Sequence, residues 1–377
     1  MPERPARGVV RVGLLLPRQG PAGMFGLSCR AAAELAATEI EVAQGFGGRR
    51  VELHDVDAGA APERVAATVA ELLRQNRVDA LVGWHLSSVR QAVAPVAAGR
   101  VPYVYATAYE GGERHDGVLC SGELPADQVV AALTWLRAEF GLHRWALVGD
   151  DYVWPRRTAR RARQVLRESG IEVSSEHWVP LGTVTDAALD EVVARIGRAG
   201  VDGVVMLLVG SDGVRFNRAF AAAGADAELF RFSPFMDETM LLASGPEATR
   251  GLFASAGWFA GLTSASAAEF SRGFAHAFDL VAGAGTLAAA PAPGTMAETT
   301  YSALHLLARL GRGRVPTVLD VRAALGGAAW DSPHGTVELH RGRAGHPVHI
   351  AVADGVDFDV LARVSGPGTP PRTPPGP

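Results

Sequence analysis

Short apolar runs alternate with amphipathic segments along the first third of the chain. Runs rich in Val and Leu are typical of buried strands, and apolar residues at helical spacing between them are typical of helices that cover a sheet. The predicted strands are Val10–Leu16, Val51–Asp55, Ala80–Gly83 and Val101–Tyr105, and the predicted helices are Leu27–Ile40, Pro62–Arg74 and Val89–Ala97. This order predicts a parallel sheet with helices on both faces.

The same alternation restarts in the middle of the chain. The predicted strands there are Trp145–Gly149, Glu172–His177, Gly203–Val209 and Leu229–Ser233, and the predicted helices are Arg157–Ser169, Asp186–Arg198 and Val214–Ala223. A second sheet implies a second lobe, and a chain of 377 residues is longer than one core usually supports. We therefore expect two similar α/β lobes.

The last third of the chain is less regular. A helix is predicted over Thr295–Leu310, followed by a turn at Trp330–Gly335 and a hairpin pattern that runs through Ala351. Ala282–Pro293 is predicted to be a loop, and the Pro- and Gly-rich end, Ser365–Pro377, a disordered tail.

Composition narrows the classes of function. The chain is 48% hydrophobic and 20% charged with a net charge of −4, which is typical of a globular protein and argues against nucleic acid as a direct partner. No apolar run reaches the length of a membrane span, so membrane insertion is not expected. The chain has no lysine, which excludes a Schiff-base or phosphate-loop lysine. Cys29 and Cys120 could form one disulfide, but two free buried thiols are the better expectation.

The start of the chain shows neither an apolar signal segment nor a lipidation cysteine. Taken at face value, this predicts a cytoplasmic protein. The alternative is an exported protein whose signal peptide precedes Met1.

Ligands of such sheets bind at the carboxyl ends of the strands. After Gly83, the sequence His85-Leu86-Ser87-Ser88 opens a helix, where a serine either caps the helix or, with the helix N-terminus, holds a carbonyl or carboxylate oxygen. Tyr105 and Thr107 follow the next strand and point the same way on an extended chain. They suit a small polar ligand, although a polar loop with packed tyrosines is the alternative.

After the strand at Trp145, Tyr152 and Trp154 form an aromatic pair ahead of Pro155. Such a pair makes a good wall for a small alkyl or planar group, and core packing explains it equally well.

These segments together resemble the urea and short-chain amide branch of the type I periplasmic-binding-protein superfamily, and its cytoplasmic amide-binding regulator in particular. The resemblance rests on Gly83–Val96, Tyr105–Gly111, Gly149–Arg156, Ala297–Tyr301 and Asp331–Val337, which lie in the family's order.

The resemblance implies two Rossmann-like lobes with parallel sheets, joined by three crossover strands, with a ligand between them. The expected N-terminal lobe is 8–121 plus 256–328, and the C-terminal lobe is 122–255 plus 329–364. It also implies that Ser87, Tyr105, Thr107 and Tyr152 bind an amide. His85, Trp154 and Asp212 depart from the family pattern and are expected in the same site, where an acidic Asp212 would suit an ammonium or amidinium group.

Two roles fit this fold. The first is a cytoplasmic sensor of short-chain amides or urea that acts through a regulatory protein partner. The alternative is the substrate-binding component of an ABC-type uptake system for amides, urea or branched-chain amino acids, with a permease as partner. A homo-oligomer is compatible with either role.

Catalysis is the weakest hypothesis, because no dinucleotide-binding, nucleophile-elbow or zinc-protease motif is present; no cofactor or metal is expected. His54-Asp55-Val56-Asp57 is better explained as hydrogen-bonded structure than as a metal site. The basic run Arg156–Arg163 indicates a solvated helix face, or a docking surface for an acidic partner.

Overall fold

The computed structural model describes residues 8–283, 291–340 and 342–364, with three sheets. The strands are β1 (Val9–Leu16), β2 (Arg50–Asp57), β3 (Ala80–Gly83), β4 (Tyr103–Tyr105), β5 (Val118–Cys120), β6 (Arg144–Asp150), β7 (Glu172–Val179), β8 (Gly203–Leu207), β9 (Phe230–Ser233), β10 (Leu252–Ala256), β11 (Ala328–Ser332), β12 (Gly335–His340), β13 (Arg343–Gly345), β14 (Val348–Asp354) and β15 (Asp357–Val364). The α-helices are α1 (Gly26–Val42), α2 (Pro62–Arg74), α3 (Ser87–Ala97), α4 (Ala131–Phe140), α5 (Val153–Glu168), α6 (Asp186–Gly197), α7 (Ser211–Ala222), α8 (Glu238–Ser244), α9 (Ala265–Ala282), α10 (Thr295–Gly311) and α11 (Val318–Leu325).

The first sheet has the order β2-β1-β3-β4-β5, and all of its neighbouring strands are parallel. Its central strands are buried, as their unbroken apolar runs predict. Late helices α9 and α10 pack against α1, so this lobe is built from two separate parts of the chain.

The second sheet has the order β15-β14-β10-β9-β8-β6-β7. Strands β6 to β10 are parallel, and β14 and β15 add an antiparallel edge. Strands β11 to β13 form a small antiparallel sheet. The predicted class of two α/β lobes with mainly parallel sheets is confirmed.

Element ends differ from the predictions for local reasons. Strand β4 begins at Tyr103 rather than Val101, because Pro102 has no N–H for a sheet hydrogen bond. Helix α5 begins at Val153 rather than Arg157, since its Pro155 lies in the first turn, where the N–H would have no partner in the helix.

The chain passes between the lobes after β5, after β10 and after α11. The first two passages are tied together where the N–H of Gly257 donates to Oε1 of Glu123 at 2.9 Å. The limits proposed for the two lobes remain a prediction. Residues 284–290 of the predicted loop and the predicted tail, 365–377, lie outside the described residues.

Three further properties bear on the predictions. Cys29 and Cys120 are free and buried. No helix within the described ranges is long and apolar enough to cross a membrane. In the same ranges, no group of three or more His, Cys, Asp or Glu is arranged to hold a metal ion; Asp55 instead pairs with Arg18 and Arg30.

Candidate functional site

A narrow cavity lies between the two lobes, and the space among its lining atoms, counted with its opening to solvent, is about 210 Å³. Its walls follow the carboxyl ends of strands from both sheets, as the geometry of parallel sheets requires. The first sheet contributes Trp84, His85, Leu86 and Ser87 after β3 and Tyr105, Thr107 and Ala108 from β4 onward; the second contributes Tyr152 and Trp154 after β6 and Phe235 after β9. All the predicted site residues except Asp212 therefore line one cavity.

The backbone of His85 binds two of the predicted hydroxyl groups. The hydroxyls of Tyr105 and Thr107 donate to the carbonyl oxygen of His85 at 2.8 and 3.1 Å, so both point to the same side, as their spacing predicts. The Thr107 hydroxyl also accepts from the N–H of His85 at 3.1 Å. These two hydroxyls therefore hold the loop after β3 in place and have no O–H left to donate to a ligand.

Ser87 keeps most of its hydrogen-bonding capacity, because its hydroxyl makes only one long contact, and the Tyr152 hydroxyl keeps all of it. The closest polar contact of the Ser87 hydroxyl is the Tyr105 hydroxyl, at 3.4 Å. Leu86 is the N-cap of α3 and makes no side-chain capping bond, so the alternative that a serine caps this helix is wrong. Within the described part of the chain, neither the N–H of Ser87 nor the hydroxyl of Tyr152 has a hydrogen-bond partner.

The His85 side chain is fixed by protein partners. Its Nδ1 lies 3.1 Å from the carbonyl of Leu86, and its Nε2 lies 2.8 Å from the hydroxyl of Tyr103. Because a carbonyl can only accept, Nδ1 carries the proton and Nε2 accepts from the tyrosine. Burial lowers the pKa of His85 to about 4, so the ring is neutral. His85 thus positions the cavity wall, with both ring nitrogens occupied.

Aromatic rings form the apolar part of the wall. Trp84 contacts Phe25 edge to face at 5.0 Å between ring centroids, and Phe235 lies 5.9 Å from Trp84 and 5.4 Å from Trp154. The Nε1 of Trp154 is buried and has no partner among the described residues. The sequence predicted only Trp154 of this group. Trp84 directly follows one predicted strand and Phe235 lies two residues after another, so applying the strand-end rule to every strand would have found both.

Asp212 does not line the cavity. Its carboxylate accepts from the N–H of Gly182 at 2.5 Å and lies beside the buried carboxyl of Asp150. Burial and the adjacent Asp212 raise the pKa of Asp150 to about 9. Among the described residues, no Asp or Glu lines the cavity.

Two lobes that meet around a cavity with hydroxyl and aromatic walls define a small-molecule binding protein. The sequence profile described as "periplasmic binding protein" matches residues 9–357. The chain therefore belongs to the periplasmic binding protein family. Membership in a family of binding proteins favours binding over catalysis, in keeping with the sequence prediction.

Solved structures share the fold. A solute-binding protein of an ABC transporter from R. palustris in complex with benzoate is 20% identical, with a TM-score of 0.79 over 95% of this chain and 97% of that one. Another from Rhodopseudomonas palustris BisB5, in complex with 3,4-dihydroxybenzoic acid, is 22% identical, with a TM-score of 0.80 over 97% and 99%. The branched-chain amino acid binding protein LivJ from Streptococcus pneumoniae, in complex with isoleucine, is 18% identical, with a TM-score of 0.78 over 95% and 100%.

These comparisons correct one prediction. The cytoplasmic location is wrong, because the family is that of periplasmic binding proteins and the similar structures are solute-binding proteins of ABC transporters. The narrower resemblance to the amide-binding branch is not confirmed.

Proposed function

We propose that this protein is the substrate-binding component of an ABC-type uptake system and that its ligand is a small planar carboxylate or carboxamide. The observation that carries the proposal is the cavity itself, which combines the hydroxyls of Ser87 and Tyr152 and the N-terminus of α3 with a wall of aromatic rings. The ABC role is supported by the proteins of the same fold that bind benzoates and isoleucine. The regulator role is supported only by the amide-branch resemblance.

The polar side of the cavity fits a planar oxygen-bearing headgroup. The Ser87 hydroxyl and its free N–H can both donate to one oxygen, and the positive end of the α3 dipole favours negative charge there. Tyr152 offers a further hydroxyl from the second lobe. A carboxylate or an amide carbonyl can accept all of these bonds.

The apolar side fits a planar body. Trp84, Trp154 and Phe235 present ring faces and edges that can stack on a flat group. A ligand the size of benzoate would contact both lobes at once. It would therefore bind the closed arrangement more tightly than an open one, which is the condition for a ligand to drive closure.

The lining argues against an α-amino acid. A buried ammonium group needs an anionic partner. The described lining has no carboxylate, and Asp212, the acid predicted for this role, lies outside it.

Isothermal titration with benzoate, benzamide, acetamide, urea and leucine tests the ligand class. We expect benzoate or benzamide to bind most tightly and leucine not to bind. Binding of leucine without binding of either planar compound would show that the ligand class is wrong. In the native host, deleting the gene should abolish uptake of the compound that binds; unchanged uptake would argue against the transport role.

Removing the hydroxyl of Ser87 or of Tyr152 tests the site. Ser87→Ala and Tyr152→Phe should each weaken binding by roughly fivefold to twentyfold, as expected for the loss of one hydrogen bond. Ser88→Ala is the matched control, because this neighbouring side chain does not line the cavity. Unchanged affinity in both cavity variants would place the ligand elsewhere.

A further inference from the structure

A second cavity lies at the junction of the lobes and shares no lining residue with the first. Its volume, counted with its opening to solvent, is about 670 Å³. The lining combines the loop after β4, the first passage between lobes, helix α5 and strand β13: Tyr109, Gly111, Gly112, Leu124, Pro125, Ala126, Arg161 and Arg343. Both lobes therefore contribute to it.

Hydrogen-bond donors dominate the polar lining. Arg161 is exposed and makes no ion pair with any described residue. Tyr109 is only 4% exposed, yet its hydroxyl has no hydrogen-bond partner in the described part of the chain. The N–H groups of Gly111 and Gly112 likewise have no acceptor there. The cavity thus presents unpaired donors and a positive charge.

The local structure keeps these donors in place. Gly111 has a φ of +77°, and a Cβ there would lie 2.3 Å from Nη1 of Arg161, so only glycine allows the guanidinium to pack on this loop. Tyr109 is held by Arg90, whose guanidinium lies 5.6 Å from the ring centroid.

The nearby acids are already paired and do not compete for Arg161. Arg90 forms ion pairs with Glu110, at 2.6 Å, and with Glu113. Both carboxylates are buried.

Most arginines of the basic run in α5 also have other partners. Arg156 pairs with Asp151 at 2.7 Å and stacks on Trp178, and Arg163 pairs with Glu176. Arg157 lies 4.0 Å from Glu110. Arg161 differs from these because it lines the cavity. The run is therefore not a uniform solvated face.

We propose that this second cavity binds a small oxyanion or carboxylate, with Arg161, the Tyr109 hydroxyl and the glycine N–H groups as donors. Charge-assisted bonds to a guanidinium and to successive backbone N–H groups are a common means of anion recognition. Because the donors come from both lobes, the anion favours the closed arrangement. It and the ligand of the first cavity should then tighten each other's binding by the same factor.

Inorganic phosphate is a suitable probe, titrated calorimetrically at constant ionic strength with chloride as the replaced anion. The wild-type protein should bind phosphate saturably, and Arg161→Gln should weaken that binding by roughly tenfold. Tyr109→Phe, which keeps the ring over Arg90, should weaken it severalfold. Arg160→Gln is the matched control, since Arg160 is exposed on the same helix outside the cavity.

The outcomes distinguish a specific phosphate site from non-specific electrostatic attraction to the basic helix. No phosphate binding by the wild-type protein, or equal weakening in Arg160→Gln and Arg161→Gln, would overturn the proposal. Phosphate binding is measured without any ligand of the first cavity, so its result does not depend on the proposed function. If benzoate binds, saturating phosphate should lower its dissociation constant in the wild-type protein and leave it unchanged in Arg161→Gln.

Discussion

The carboxyl groups of Asp150 and Asp212 lie side by side in the second lobe. One oxygen of Asp150 accepts from the N–H of Val209 at 2.8 Å, and the other has no partner among the described residues. Burial raises the pKa of both groups, and the charge of Asp212 raises that of Asp150 further, to about 9. The pair therefore retains a proton at neutral pH.

This proton makes stability depend on pH. The folded-state pKa of Asp150, about 9, exceeds the usual value near 3.8. The folded state therefore keeps a proton that the unfolded chain releases, and stability falls as pH rises across that interval, by about 1.4 kcal/mol per pH unit for one such proton. Asp150→Asn can still accept from Val209 and should show a flatter decline in melting temperature between pH 5 and 9.

Exposed Asp190→Asn on α6 serves as the control and should follow the wild-type pH profile. An unaltered profile in Asp150→Asn would mean that this carboxyl is ionised in the folded protein.

The sequence predicted which residues line the first cavity better than it predicted what each side chain does there. Ser87, Tyr105, Thr107 and Tyr152 were predicted alike, because a motif shows which strand end a hydroxyl occupies. In the folded protein, the hydroxyls of Tyr105 and Thr107 donate to the backbone carbonyl of His85. The sequence motif does not show these hydrogen bonds. Asp212 was misleading for the same reason: its partners lie at Gly182 and Asp150, remote in sequence.

The first passage between the lobes packs closely against the cavity loop after β4. A Cβ on Gly122 would lie 2.2 Å from the carbonyl oxygen of Thr107 and 2.6 Å from the N–H of Ala108. Both are backbone atoms, which cannot move aside as a flexible side chain can. Gly122→Ala should displace the loop that carries Thr107, lower the free energy of unfolding by about 2 kcal/mol and weaken ligand binding.

Thermal melts and calorimetric titration check both effects. Gly197→Ala is the control, because Gly197 ends α6 and a Cβ there meets nothing within 4 Å. That substitution should be neutral, or stabilise by up to about 1 kcal/mol. Similar stability in the two variants would contradict the close approach at Gly122.

Elements with clear periodicity and sharp ends were predicted well, and others were missed. Pro62–Arg74 and Ala80–Gly83 have the predicted bounds. Helix α9 was not predicted, although Phe270, Phe274 and Phe278 recur at helical spacing on its buried face. Its Gly273 argues against a helix by propensity but lets the helix approach Leu35 of α1 closely. Tertiary packing therefore overrides the local preference.

A buried row of polar side chains links the passages between the lobes. The Nε2 of His346 faces the carbonyl of Ser121, and Nδ1 of His346 lies 3.2 Å from Nε2 of His334. The Nδ1 of His334 lies 3.0 Å from Oε2 of Glu298, within ion-pair distance but not aligned for a hydrogen bond. Because the Ser121 carbonyl can only accept, His346 donates to it from Nε2 and accepts from His334.

This arrangement favours a charged His334 beside Glu298. Burial alone lowers the pKa of His334, but the charges of Glu298 and Glu123 outweigh burial and the opposing charge of Arg363, and the net pKa is raised. For His346, burial and the charge of His334 outweigh Glu123 and Glu298, so its pKa is lowered. This row of side chains joins α10 to the first and third passages between the lobes. The protonation of its histidines therefore affects how the lobes are held together.

Replacing His334 should therefore change how stability responds to pH. A raised folded-state pKa stabilises the protein fully below the ordinary value near 6.5, and this stabilisation is lost as pH rises through the raised value. His334→Gln keeps a donor toward His346 but cannot be charged. We expect it to melt at a lower temperature than wild type at pH 6 and to converge toward wild type above pH 8, while exposed His276→Gln should match wild type throughout. A constant difference between His334→Gln and wild type across this range would mean that His334 is neutral in the folded protein and serves packing alone.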